Sequence, residues 1–249
     1  MPDLAHRTAT EERLARLAKS LLEQQNRRLR ERLAELDAQA AATEEEKKRR
    51  FLLWWPSFLE DGAWLTWQTG LAVGLTFGVA DIVSRSQRRF ARTLADFTPR
   101  ASDLDEAALR YATRRAGDVA RGIVRTTLER FTRQVETGLR NGDTYDHLRR
   151  RLTDAQGWLF GADRAESIGV TETTAAHSAA ERGVVDLHNR FTGRILVAHW
   201  VTEHDERVCP ICRPLDGQPE YLWRERFTLG PPAHARCRCY MEWREADTA

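Results

Sequence analysis

Lysine is almost missing from this chain: Lys19, Lys47 and Lys48 are the only three among 39 basic residues. An arginine bias of this kind reflects a GC-rich genome more simply than it reflects phosphate recognition. The net charge is only +2, so no global basic field gathers nucleic acid. A Gly-rich phosphate loop and a Gly-x-Ser-x-Gly elbow are both absent, which removes the P-loop and the α/β-hydrolase chemistries. Met1 to Arg50 is strongly charged and holds no apolar signal core, so the expected compartment is reducing and disulfides are disfavoured. No repeat is visible. What remains, 249 residues at 41% hydrophobic, is enough to bury a core in one or two domains.

Cysteine is missing too, until the last fifth, where all four fall together. The segment reads Asp205-Glu206-Arg207-Val208-Cys209-Pro210-Ile211-Cys212, then Leu215-Asp216-Gly217, then Gly230-Pro231-Pro232-Ala233-His234-Ala235-Arg236-Cys237-Arg238-Cys239. Cys209, Cys212, His234, Cys237 and Cys239 offer five ligands where a tetrahedral zinc takes four. Pro210 fixes φ within the first pair and favours a tight bend. The spacing predicts a strand from Cys237 to Trp243, which would turn Cys237 and Cys239 to one face. Cys209, Cys212 and Cys237 are the expected ligands, and His234 or Cys239 completes the shell. Two disulfides, or four free thiols, are the competing readings. A closed four-ligand zinc is structural, because it leaves no open position for substrate.

Residues 200–239 resemble the C-terminal signature of the phage Mu F-like head morphogenesis proteins, the minor head proteins of tailed phages. The matching positions are Trp200, Asp205, Arg207, Cys209, Cys212, Leu215, Asp216, Gly217, Pro231, Pro232, His234, Cys237, Arg238 and Cys239. Upstream, Arg164-Ala165-Glu166 and Thr171-Glu172 correspond to that family's Arg-Ala-Glu start and Thr-Glu core. Gly169-Val170 departs from it, since the family usually has Ala-Arg there. The resemblance spans roughly residues 105–243. It implies a non-catalytic minor capsid protein of the virion interior and host cytoplasm, which binds portal, capsid and scaffolding components, with DNA as a further candidate partner. The same domain also occurs attached to bacterial toxin modules.

The rest of the chain reads as helix. Residues 8–50 are expected to form one charged helix, opened by a Thr8/Glu11 capping box, with Leu14, Leu17, Leu21, Leu22, Leu29, Leu33 and Leu36 on its apolar side. It suits a coiled-coil docking arm or a helix packed on its own domain, and Glu44 to Arg50 suits a solvated helix end or linker. Nineteen uncharged residues follow between Asp61 and Asp81, with Gly70, Gly74 and Gly78 on one face. A closely packed buried helix is the plainer reading and a membrane span the other. Trp54, Trp55, Trp64 and Trp67 there suit a protein interface. From Asp103 a long helix carries Leu104, Ala108, Tyr111, Val124, Leu128, Phe131, Val135 and Leu139 on its apolar face, with an Asn141-Gly142 stop. Between Arg85 and Arg151, sixteen arginines face nine acids, which suits DNA backbone or simply a wet helix face. Shorter helices are expected at 144–152 and 163–187, and a strand at 195–202.

The expected fold is therefore mainly α with a small C-terminal α+β lobe: long helices plus a short sheet closed by the Cys/His cluster. The expected divisions are 1–50, 51–98 and 99–249, with the Cys/His knob at about 195–244. Two sets of residues invite catalytic readings. Glu172, His177 and Glu181 share neighbouring faces of one helix and form a candidate acid–base group. Asp205, Asp216 and His234 would be the chemistry of a zinc-dependent nuclease or toxin effector, although hydrogen bonds that hold loops are the plainer job for both aspartates.

Overall fold

The computed structural model describes residues 4–38 and 43–246, the side chains of 4–6 and 36–38 excepted. Six helices precede a two-stranded sheet: α1 Leu4–Ala38, α2 Glu44–Leu59, α3 Gly62–Ala91, α4 Ala101–Arg140, α5 Tyr145–Leu159, α6 Ala162–Thr192, β1 Leu196–Val201 and β2 Tyr240–Glu245. Helix α3 is the hub. It packs along α4, across α6 and against α1, while α2 and α5 close one end of the bundle.

Two kinds of interface build that bundle. At one end Phe51, Trp55, Phe58, Trp64, Trp67, Phe131 and Phe160 form a continuous aromatic cluster with Leu22, Leu29 and Leu148. Successive rings in it lie 5.3–6.2 Å apart, for example Phe58–Trp64 at 5.3 Å and Trp67–Phe160 at 6.2 Å. Further along, the contact is made by small residues: Ala108, Ala112 and Ala116 of α4 and Ala176 and Ala180 of α6 meet Leu75, Val79 and Val83 of α3. Alanine every fourth residue keeps helix axes close, so a long, thin core still excludes water. The tryptophans thus serve this protein's own core: Trp55, Trp64 and Trp67 are buried and Trp54 is half-buried, which corrects the interface reading. Two glycines of the strip do what a packed helix needs, while Gly70 faces open space. A Cβ on Gly74 or Gly78 would stand 3.1 or 3.0 Å from leucine methyls of α1. Among the described residues no helix is long and apolar enough to cross a membrane.

The N-terminal region differs from the single helix expected over 8–50. Helix α1 already runs from Leu4, so Thr8 lies inside it and not at its start. The Glu44–Arg50 run is a solvated helix end, as expected, but the end is the start of α2, whose Thr43 hydroxyl accepts from the Glu46 amide and whose first turn is acidic, as the helix dipole favours. Leu14, Leu22, Leu29 and Leu33 are buried against the bundle, so α1 is packed on its own chain; the Leu36 contact lies outside the described side chains. Leu139, the penultimate residue of α4, is exposed. Helix α5 extends to Leu159 and leaves Phe160-Gly161 as the turn. β2 begins at Tyr240, after both cysteines of the second pair, so no shared strand face orients them.

Gly169 shows why α1 and α6 fit. A Cβ there would meet the Glu11 carbonyl at 2.7 Å and the Ala15 Cβ at 2.9 Å. The Gly169 departure from the family pattern is the position over which α1 crosses. Gly169→Ala is therefore expected to lower unfolding stability by about 1–3 kcal/mol through overpacking. Gly122→Ala, which has open space around it, should raise stability by a few tenths to about 1 kcal/mol. Urea unfolding of both variants checks the pair.

Candidate metal centre

The C-terminal knob is a hairpin whose long loop carries the chemistry. β1 and β2 pair antiparallel, with Trp200 opposite Met241 and Val201 opposite Tyr240. Trp200 is fully buried, edge-on to Trp223 at 5.4 Å and against Phe227 at 5.3 Å. The chain then folds back on β1, because the Gly217 amide donates to the Trp200 carbonyl and the Trp200 amide to that of Gln218. Gly217 sits at φ 72°, a left-handed position that suits glycine. The Pro231–Pro232 peptide is cis, and Arg236 has φ 61° just before Cys237.

This loop brings the five predicted donors together. The ligand atoms of Cys209, Cys212 and His234 lie within 4.8 Å of one another, as do those of Cys212, Cys237 and Cys239. His234 Nε2 is 3.0 Å from the Cys209 sulfur and 3.3 Å from that of Cys212; the Cys212 and Cys237 sulfurs are 3.8 Å apart. A tetrahedron with Zn–S of about 2.3 Å has S···S edges of about 3.8 Å and S···N edges of about 3.6 Å. The Cys212–Cys237 distance matches such an edge and the two His234 distances are shorter; the donors form two triads that share Cys212. No cysteine is in a disulfide, and Cys212, Cys237 and Cys239 are buried.

Three buried thiols cannot all ionise without a cation. A hydrogen bond from Cys239 holds the Cys237 thiol down to about 5, and donating to that sulfur pushes Cys239 well up. Burial, with the neighbouring Cys237 charge, pushes Cys212 up to about 12. Of these sulfurs Cys237 is the most readily ionised, and a divalent ion would stabilise the others as thiolates.

The matching residues of α6 hold this loop and the helices beneath it. Thr174 Oγ1 donates to the Cys237 carbonyl at 2.7 Å, and Thr171 Oγ1 accepts from the Arg236 amide at 2.9 Å. The Arg236 guanidinium reaches the Asp163 carbonyl at 2.8 Å and Glu166 at 3.5 Å. Arg7 of α1 completes the seam: it donates to Thr174 Oγ1 at 2.9 Å and to the Arg238 carbonyl at 2.8 Å. Beneath, Arg164 donates to Thr127 Oγ1, the Leu159 carbonyl and the Ile123 carbonyl at 2.9–3.0 Å, joining α4, α5 and α6. Burial holds its guanidinium down to about 10. Glu172 takes a bidentate fork from Arg115, Nε to Oε2 at 2.7 Å and Nη2 to Oε1 at 2.8 Å. Burial pushes the Glu172 carboxyl up despite that partner.

Neither catalytic reading gains a converging site. Glu172 is engaged by Arg115, the His177 Nδ1 lies 2.9 Å from Ser86 Oγ, and Glu181 accepts from the Trp243 indole at 3.1 Å. Both aspartates hold loops. Asp205 accepts twice from Arg238 Nη2 at 2.7 Å, and the amide of Arg207, whose side chain is exposed, donates to it at 3.1 Å. Asp216 accepts from the Thr202 amide at 2.8 Å and from Thr202 Oγ1 at 3.0 Å, and lies 2.8 Å from His204 Nε2. Those bonds hold both carboxyls below the usual range; for Asp205 the Arg238 guanidinium is the main cause. Sequence reasoning missed Arg7, Arg115, Thr174 and the Arg238 fork. Arg7 and Arg115 are lone arginines in helices crowded with them, and nothing local marks them.

Residues 129–242 match the family model described as Phage Mu protein F like protein, the family the cysteine motif resembles. No curated protein and no solved structure matches the chain.

The Arg115–Glu172 fork yields a cycle. Glu172 is buried, so Arg115→Ala leaves its carboxyl unpaired and should cost about 3 kcal/mol. Adding Glu172→Gln to that variant should restore part of the loss, read as a non-additive double-mutant cycle in urea.

Proposed function

We propose that this chain, whose residues 129–242 match the Phage Mu protein F like family, is a non-catalytic component of a phage head. It acts in head morphogenesis by binding portal, capsid and scaffolding proteins in the host cytoplasm, and it is retained in the virion. DNA is a further candidate partner through the arginine-rich α4 and α5. One observation carries the reading: the matched segment folds into a thiol–imidazole knob fastened to α6 by Thr171, a motif residue, and by Thr174 close beside it. The metal is zinc, on the chemistry of a thiolate-rich donor set with one imidazole. Cys209, Cys212, His234 and Cys237 are its ligands. Cys239 stands behind Cys237 as a hydrogen-bond donor. With four protein ligands the site is closed, so the ion would stiffen the knob without binding substrate.

Two measurements test this. Elemental analysis of the reduced protein should find one zinc per chain, lost in Cys209→Ser, His234→Ala and Cys237→Ser but kept in Cys239→Ser. Binding displaces about two thiol protons, so apparent affinity should drop by up to roughly a hundredfold per pH unit near neutrality as the solution is acidified. Absence of metal at every pH would remove the zinc. Separately, the chain co-expressed with the portal and major capsid proteins of a phage carrying this family should sediment with procapsids. Failure to co-sediment, with the fold intact, would remove the assembly reading.

A further inference from the structure

The knob carries one donor more than a single zinc takes, and the arrangement of the five shows where the surplus goes. They fall into two groups, Cys209–Cys212–His234 and Cys212–Cys237–Cys239, each with its ligand atoms within 4.8 Å of one another. Cys237 forms no such group with Cys209 or with His234. The edges of a tetrahedral zinc site are only about 3.6–3.8 Å. One ion holding Cys209, Cys212, His234 and Cys237 must therefore first draw two separated triads together. Three donors in a plane around one ion need less: S···S edges of about 4.0 Å and S···N edges of about 3.7 Å, from the same bond lengths. The Cys212 and Cys237 sulfurs, 3.8 Å apart, already meet that, and His234 at 3.0 and 3.3 Å needs to move back by about 0.5 Å.

Both triads are braced from outside. In the first, His234 Nδ1 lies 2.7 Å from the Ala235 carbonyl, which places the proton there and leaves the Nε2 lone pair for the ion. In the second, the fully buried Trp200 indole N–H makes no other hydrogen bond and lies against the Cys239 sulfur. Outer donors of this sort hold a metal-bound thiolate in place. A cavity of about 20 Å³, enough for one water-sized body, touches Cys209, Cys212, His234 and Cys239. Zinc takes four ligands, so one zinc in either triad alone would be a donor short. Thiolate-rich sets also select Cu(I), a soft monovalent ion that three donors satisfy.

We propose that the knob takes two Cu(I) ions, one in each triad, with the Cys212 thiolate bridging them and Cys239 serving as a ligand. Each ion displaces the protons of the thiols it binds, and no electron is transferred. Cys239, which a single zinc leaves as a hydrogen-bond donor, becomes the residue that sets the count. The proposal rests on the reading of this loop as a metal centre and changes the ion it fits and the number it holds. It is independent of any role in head assembly.

The reduced full-length chain is titrated under anaerobic conditions with Cu(I), supplied as its bicinchoninate complex, and in parallel with zinc. Two copper ions per chain are expected, falling to one in Cys239→Ser and to one in His234→Ala. Thermal unfolding and helical dichroism show whether each variant keeps the fold. X-ray absorption at the copper edge should find three-coordinate copper with a copper neighbour in the parent chain. That spectrum decides the matter even where a variant does not fold. A single copper in the parent, two that survive Cys239→Ser in a folded protein, or copper with no copper neighbour would overturn the proposal. The zinc reading fails separately: two copper ions with no zinc bound would remove zinc and leave this proposal, and one zinc with one copper would do the reverse.

Discussion

The junction of Thr174 with Arg7 and the Cys237 carbonyl is the contact on which the other parts depend. One hydroxyl donates to the thiol-bearing loop at 2.7 Å and accepts from α1 at 2.9 Å, so three distant pieces of chain meet at a single atom. Arg7 is 6% exposed, and a charge so deeply placed is tolerable because its donors are used: Glu11 at 3.0 Å, Glu203 at 3.4 Å and the Arg238 carbonyl at 2.8 Å. Loss of any one arm would strand buried polar groups on the other two. The seam therefore favours a single arrangement of knob and bundle, since alternatives leave the guanidinium unsatisfied.

Helix α6 carries two loads. On one side its small residues let α3 approach and Gly169 lets α1 cross; on the other its hydroxyls and acids grip the loop after Gly230. Arg164 and the Arg115–Glu172 fork secure the same helix from below. The thiol cluster is thus mounted on the best-braced element of the molecule. A site held this way keeps its donors close together before any ion arrives, which lowers the ordering cost of binding one.

The cysteine and histidine set was legible because metal ligation is a local demand: close spacing, soft donors and a tight turn are written in consecutive residues. Long apolar periodicity likewise exposed α3, α4 and α6, and the glycine strip on α3 implied a close neighbour. Other features were legible in type but wrong in place. The strand expected from Cys237 starts at Tyr240, because the Cys237–Arg238 stretch spends its carbonyls on Thr174 and Arg7 instead of on β1. The helix expected over 8–50 is two, since Thr43 caps a new first turn that charge periodicity alone does not reveal.

By itself, then, the sequence determined the helical content, the cluster of candidate ligands and the resemblance to a family of phage head proteins, because each depends on residues near one another in the chain. Tertiary structure alone decided which arginines are buried partners, that the tryptophans fill the protein's own core, and that Asp205 and Asp216 brace loops. Those outcomes depend on groups brought together across as many as 231 positions, as Arg7 and Arg238 are. Pairing at such range is set by how whole helices pack, and no short window of sequence encodes it.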